Sequence, residues 1–238
     1  MLSAQPKSFC PANSLLHVIN ELHSLEPADL DSIGSRCRWQ RFQTGDTVLR
    51  HDDASDSIFF IVEGTVRLTY FAASGHEVIL RDLGAGELFG ELAAIDGQHR
   101  SATGIVKADA LLAILPAEAL NLLMRSNPQI AIALLRRMTA LVRSLTERVV
   151  DFSTLAVRHR LHIALLKLAV DHMTQPNHAV ISPVPTHTDL ANLISTHREA
   201  VSRELSELVR EKLIHRGDRY LEVLDVRKLE EMVREVRG

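Results

Sequence analysis

Cysteine is scarce in this chain of 238 residues, with only Cys10 and Cys37. Two are too few for a zinc ribbon or an all-cysteine iron–sulfur site, and they form no CxxC. A reduced, cytosolic setting is the simple expectation. Long apolar runs are missing as well. Leu111 to Leu115 and Ile130 to Leu135 are the most apolar stretches, far short of the ~18 residues a membrane helix needs. The first residues, Met1 to Lys7, lack a basic-then-apolar leader pattern, and Pro6 and Pro11 interrupt the start. The reading is a soluble cytoplasmic protein without a membrane partner. Neither sign of charge is in excess: 27 Lys+Arg against 30 Asp+Glu leave −3. Such a balance neither demands nor excludes a nucleic-acid partner, because local charge decides that.

What is present is globular: 46% apolar and 24% charged residues. At roughly 150 residues per domain, the length fits one large domain or two modest ones. The pattern changes character twice. Leu15 to Leu30 is weakly helical. From Trp39 to Leu115, short apolar runs are cut by glycines. Ile58 to Val62 reads as a buried strand, Thr65 to Phe71 as a half-buried one, and Val78 to Leu80 as another. Short strands with glycine turns indicate a sandwich, roll or barrel. After Pro116 the period becomes helical. Asn127-Pro128 marks a helix start. Leu134, Leu135, Met138, Leu141, Val142, Leu145, Val149 and Phe152 then form a stripe over about three heptads. A narrow seam of that kind pairs with a copy of itself or packs on its own β domain. The dimer reading assigns it Met138, Leu141, Val142, Leu145, Val149 and Phe152.

Ser153-Thr154 is expected to cap a following helix over 156–173, and 174–185 is expected to be loop. Two short helices with a tight turn then span Thr186 to Ile214. Thr186 with Asp189, and Thr196 with Glu199, have capping-box spacing. Leu190, Leu193 and Ile194 form the buried face of the first helix, and Val201, Leu205, Leu208 and Val209 that of the second. This is helix-turn-helix geometry. The second helix opens with Arg198, Glu199, Ser202 and Arg203 on one face. Arginine suits guanine O6 and N7, and a carboxylate accepts from the cytosine amino group. A solvated face with Glu199–Arg203 pairing is the plainer reading of the same four residues. Leu213 to Leu224, turning at Gly217-Asp218, has the shape of a β wing, with Arg216 and Arg219 near its tip available to phosphate.

Gly86-Glu87-Leu88-Phe89-Gly90-Glu91-Leu92 is followed by Arg100-Ser101-Ala102. Gly90 lets a backbone amide approach an anion. Arg100 offers a planar fork to a phosphate and Ser101 a hydroxyl. Glu91 can accept from a sugar hydroxyl. An Arg–Glu pair closing a turn is the alternative.

The Gly-Glu-Leu and Arg-Ser-Ala segments resemble the phosphate-binding cassette of cyclic-nucleotide-binding domains. Thr196 to Arg203 is similar to the recognition helix of the CRP/FNR family of bacterial transcription regulators, and the order of parts agrees over about residues 15 to 225. The resemblance is to the cyclic-AMP-receptor type. It implies an α+β architecture: an N-terminal jelly-roll-like β-roll (1–126), a long dimerisation helix and hinge (127–153), and a C-terminal winged helix-turn-helix domain (154–238). It also implies a homodimer on double-stranded DNA with a near-palindromic, G·C-containing site, with RNA polymerase a possible further partner. The ligand-binding residues it implies are Gly90, Glu91, Leu92, Arg100, Ser101, Leu145 and Thr146. The DNA-binding residues it implies are Thr186, Thr188, His197, Arg198, Glu199, Ser202 and Arg203. It implies cAMP as allosteric ligand, with cGMP the alternative, and no metal. Leu145 departs from the family's hydroxyl pair, and Ser101 is a hydroxyl of the kind that favours guanine. Ser195 stands for the family's turn glycine, His197 for its serine, and Ala156 for a capping aspartate.

The competing readings are a haem or redox sensor of the same superfamily, with His76 a candidate axial ligand, a ligand-independent regulator, a nucleotide-binding subunit that does not touch DNA, and an enzyme. His159 and His162 read as a charged helix face, and Asp52, Asp53 and Asp56 as a turn. No nucleophile–base pair has recognisable local spacing.

Overall fold

The structure is a computed structural model that describes residues 13–23, 25–75 and 77–237. Pro6, Cys10, Pro11 and His76 therefore lie outside the described residues. Chain contacts divide the molecule into Met1–Ala140 and Leu141–Gly238. The long helix, which the sequence reading sets apart as a segment of its own, is shared between the two units.

The first unit starts with a 3-10 turn (Asn13–Val18) and α1 (Pro27–Arg36), where a single weak helix was expected. Six strands follow: β1 (Arg38–Phe42), β2 (Thr47–Leu49), β3 (Ile58–Phe71), β4 (Glu77–Leu83), β5 (Leu88–Phe89) and β6 (Thr103–Leu115). All pairings are antiparallel, in the order β1-β6-β3-β4, with β2 on β6 and β5 on β3. The two runs expected as separate strands, Ile58 to Val62 and Thr65 to Phe71, are one strand, β3. Gly64 makes this possible. Its φ is 87° and an added Cβ would sit 2.3 Å from the Asp109 carbonyl oxygen. The strand bends there through bulges in its register with β6 instead of turning back.

Successive side chains of β3 and β6 alternate between two cores. Ile58, Phe60, Val62, Leu111, Ala113 and Leu115 pack toward the helices. Phe59, Ile61, Leu112 and Ile114 pack inside the roll with Leu49, Val66, Leu83 and Phe89. Both strand faces are thus buried, which explains why Ile58 to Val62 is apolar without alternation. Short α2 (Glu91–Asp96), α3 (Ala117–Ser126) and α4 (Pro128–Thr154) complete the helices of this part. The Asn127 side chain accepts from the Gln129 N–H at the start of α4, as its sequence signal predicts.

The second unit carries α5 (Val157–Asp171), β7 (Met173–Gln175), β8 (His178–Ile181), α6 (His187–Leu193), α7 (Arg198–Arg210), β9 (Ile214–Arg216), β10 (Leu221–Val223) and α8 (Val226–Arg237). Its sheet order is β7-β8-β10-β9. The span 174–185 is not all loop: β7 and β8 form a hairpin across Asn177, whose φ is 72°. Ser153 and Thr154 do not cap α5. Both hydroxyls donate back to carbonyls of α4, at Val149 and Val150, and Ala156 stands at the N-cap without a side-chain bond. Val226 and Leu229 of α8 join the core with Leu161, Leu165, Leu205 and Leu213, which makes the charged tail a packing helix.

Candidate functional site

Arg100 sits in the loop between α2 and β6 and is only 2% exposed. Its Nε donates to Ser55 Oγ at 2.8 Å, Nη1 to the Gly90 carbonyl at 2.8 Å and Nη2 to the Ser57 carbonyl at 2.7 Å. The guanidinium also lies 5.4 Å from the centre of the Phe59 ring, and Phe59 stacks on Phe89 at 4.8 Å. Three of its five N–H groups are thus taken by the protein, and two remain for an anion among the described residues. Burial lowers its pKa, opposed by Asp56, Asp53 and Glu91.

Gly90 has φ 79°, and an added Cβ would meet Arg100 Nη1 at 2.7 Å. The glycine is needed so that Arg100 can reach the backbone, a reason additional to the amide approach expected from sequence. Glu91, the next residue and the first of α2, is 7% exposed. Burial pushes its carboxyl up, while its own backbone N–H, Arg137 and Arg81 hold it down and Glu21 raises it. Leu92 and Ser101 are exposed.

Arg137 of α4 reaches this cassette, and the sequence reading missed it. Its Nη2 donates to the Leu88 carbonyl at 2.6 Å and its Nη1 to Glu21 at 3.1 Å. Glu21 Oε2 and Arg137 Nε are buried without a hydrogen-bond partner among the described residues. Arg137 falls at the spacing of Ile130 and Leu134, the two buried apolar residues of α4, so helical period could have found it. Leu145 and Thr146, chosen for base contacts, lie two turns further on, beyond Ala140. Leu145 is half-exposed and the Thr146 hydroxyl donates to the Val142 carbonyl at 2.9 Å.

The stripe on α4 resolves into two faces. Ile130 and Leu134 join the core of the first unit. Leu135, Val142, Leu145, Val149 and Phe152 are exposed by 37–66%, while Met138 and Leu141 are intermediate. Positions 135, 138, 142, 145, 149 and 152 alternate steps of three and four, the a/d spacing of a coiled coil.

In the second unit Thr186 accepts from the Asp189 N–H at 3.0 Å and Asp189 accepts from the Thr186 N–H at 3.2 Å, the reciprocal box expected from spacing. The box expected at Thr196 and Glu199 does not form. Ser195 takes φ 50°, the Thr196 N–H goes to the Ala191 carbonyl, and α7 starts after His197. Val201, Leu205 and Leu208 are buried, but Val209 is 42% exposed, because α7 turns it away from the three-residue core stripe. Thr186, Thr188, His197, Arg198, Glu199 and Arg203 are exposed. Ser202 is partly covered, 2.6 Å from His187 Nδ1. Arg216 donates to His187 Nε2, tying the wing to α6. That bond makes Nε2 the acceptor, so Nδ1–H donates to Ser202. Burial first, then Arg216 and Arg198, lower the His187 pKa. His162 is no surface histidine: it is buried, with Nε2 2.7 Å from Glu204 of α7. Asp53 accepts from the Arg50 N–H and Asp52 pairs with His99, which makes that loop a turn.

An antiparallel β-roll carrying a buried arginine cassette, and a helix-turn-helix with a β wing, define a cyclic-nucleotide-binding, DNA-binding transcription regulator. The comparisons agree. Residues 39–127 match the cyclic nucleotide-binding domain model and residues 159–232 the Crp-like helix-turn-helix domain model. The cyclic AMP receptor protein of Thermus thermophilus is 32% identical over 213 residues, covering 88% of this chain and 94% of that one. The cAMP-activated global regulator Vfr of Pseudomonas aeruginosa is 28% identical over 199 residues, covering 81% and 92%. A CooA variant from Carboxydothermus hydrogenoformans shares the fold, with TM-score 0.75 at 20% identity over 92% of this chain and 95% of that one. The chain belongs to the CRP/FNR family of transcription regulators.

Proposed function

We propose that the protein is a cytoplasmic homodimer in which a cyclic purine nucleotide, held by the Arg100 cassette, controls sequence-specific binding to a near-palindromic DNA site. The observation that carries this reading is the buried Arg100, fixed by Ser55, Ser57 and Gly90 with two N–H groups left for a phosphate. Ser101 adds a hydroxyl beside it, and Glu91 accepts from the ribose 2′-hydroxyl. Relatives whose names specify cAMP support a 3′,5′-cyclic nucleotide as the ligand class.

Arg137 supplies the coupling. It belongs to α4 yet bonds Leu88 beside the cassette and bears on Glu91. A ligand that bonds Glu91 changes the charge balance around Arg137, and so favours one setting of α4 over another. The exposed seam from Leu135 to Phe152 joins α4 to its copy. The pair then presents two α7 helices to successive major grooves about 34 Å apart. His197, Arg198, Glu199, Ser202 and Arg203 face the bases, and Thr186 and Thr188 the phosphates. RNA polymerase is the partner through which such a bound dimer acts.

The test is selection of sites from a random duplex library, with and without cyclic nucleotide. Palindromic sites enriched only in the presence of nucleotide are the expected result. Equal enrichment without nucleotide would show a ligand-independent regulator, and no retention at all would remove the DNA reading.

A further inference from the structure

We propose that Arg81 reads the O6/N7 edge of a guanine base, so that the cyclic nucleotide this domain takes most tightly is cyclic GMP. The inference rests on the cyclic-nucleotide reading of the Arg100 cassette and names the base that reading leaves open.

Arg81 lies in β4 and pairs across the ladder with Leu68 of β3. Cross-strand partners share one face of a sheet. Leu68 is on the inner face, where its side chain surrounds Gly104 together with Phe89 and Leu49. Leu83, two residues after Arg81 and paired with Val66 of the roll core, is 0% exposed and points inward as well. A cation therefore stands on an inward face whose neighbours Leu68, Val66 and Leu83 are apolar. It is not buried there: its side chain is 41% exposed, so the tip borders open space.

The fork is held in place. Arg81 Nη2 donates to Glu87 Oε1 at 2.9 Å, and the other Glu87 oxygen accepts from the Gly84 N–H at 2.9 Å. Glu87 is thus fixed by the turn between β4 and β5 and orients the guanidinium. The charge of Arg81 also bears on Glu91, the acceptor for the sugar. Arg100 takes the phosphate end of the cassette, and Arg81 approaches Glu91 from β4. The base is the part of the nucleotide left for it.

The chemistry selects between the purines. Guanine presents two acceptors, O6 and N7, on that edge; adenine presents N7 and an amino donor at the equivalent place. Arginine only donates. It bonds both guanine atoms with one fork, and meets the adenine amino group donor to donor. A good bidentate pair of this kind is worth about tenfold or more in discrimination.

The experiment is isothermal titration of the full chain with cGMP, cAMP and cyclic IMP, in the native sequence and in Arg81→Gln. Cyclic IMP keeps O6 and N7 but lacks the guanine amino group, and so isolates the edge in question. The expected result is cGMP and cyclic IMP binding about tenfold or more tighter than cAMP. Arg81→Gln should weaken cGMP and cyclic IMP and strengthen cAMP, because glutamine accepts from the adenine amino group and donates to N7, so the preference falls by about tenfold or more or inverts. Circular dichroism establishes that the variant is folded. Tighter cAMP than cGMP binding in the native chain, or an unchanged ratio in Arg81→Gln, would overturn the proposal and leave the cassette reading standing. No binding of any of the three would remove the cassette reading itself, and the base assignment with it.

Discussion

Arg100 Nη1 lies 2.8 Å from the Gly90 carbonyl oxygen, and a methyl group on Gly90 would come within 2.7 Å of the same nitrogen. The two residues are ten positions apart yet form one unit, a left-handed turn with a buried cation locked against it. Gly90→Ala should both strain the turn and displace the guanidinium. A loss of about 1–3 kcal/mol is expected, read by urea denaturation, with weaker nucleotide binding in the same variant. Unchanged stability would show that the loop relaxes freely.

The α4 seam makes a second prediction. Val142 is 62% exposed, at the middle of the a/d stripe. Val142→Lys costs little within one chain but places two like charges across a seam. Sedimentation should show monomer where the native chain is dimer, with DNA binding lost. A dimer of undiminished stability would move the interface elsewhere.

Arg203 is exposed on the first turns of α7. Arg203→Ala should reduce specific DNA affinity by about 1–3 kcal/mol and relax the preference at one base pair. Nucleotide binding should not change. Fluorescence anisotropy with specific and scrambled duplexes separates the two effects.

His187 ties the wing to α6 and α7 as a neutral ring. Its pKa lies below the ordinary 6.5 in the folded chain, chiefly by burial and then by Arg216 and Arg198. Above the unfolded value both states are neutral and the contribution is intact. As pH falls below 6.5 toward the lowered folded value, the unfolded chain takes up the proton first and stability is lost. The urea midpoint of the second unit should therefore drop between about pH 7 and 5.5, and His187→Gln should flatten that drop. Parallel curves for the two proteins would rule His187 out as the cause.

Much of this architecture is legible in local sequence, and two of the failures share one cause. The start of α4 and the Thr186 box each depend on neighbours a few residues apart. Spacing was enough for them. The merging of two strands into β3 depends on what Gly64 meets in β6, and the position of His162 depends on Glu204, 42 residues away. Neither contact leaves a local trace. Capping at Ser153-Thr154 failed for a different reason. Their hydroxyls have carbonyls of α4 within reach, and α4 simply continues through them. Arg137 and Arg81 could have been found, since each stands in register with buried apolar residues at helical or strand period.

The central claim is that a cyclic nucleotide binds at Arg100, and the most direct measurement is calorimetric titration of the native chain and Arg100→Ala with cAMP and cGMP. Saturable binding with one site per chain is predicted, lost in Arg100→Ala while that variant remains folded by circular dichroism. Nucleotide binding of the same affinity in Arg100→Ala would contradict the assignment.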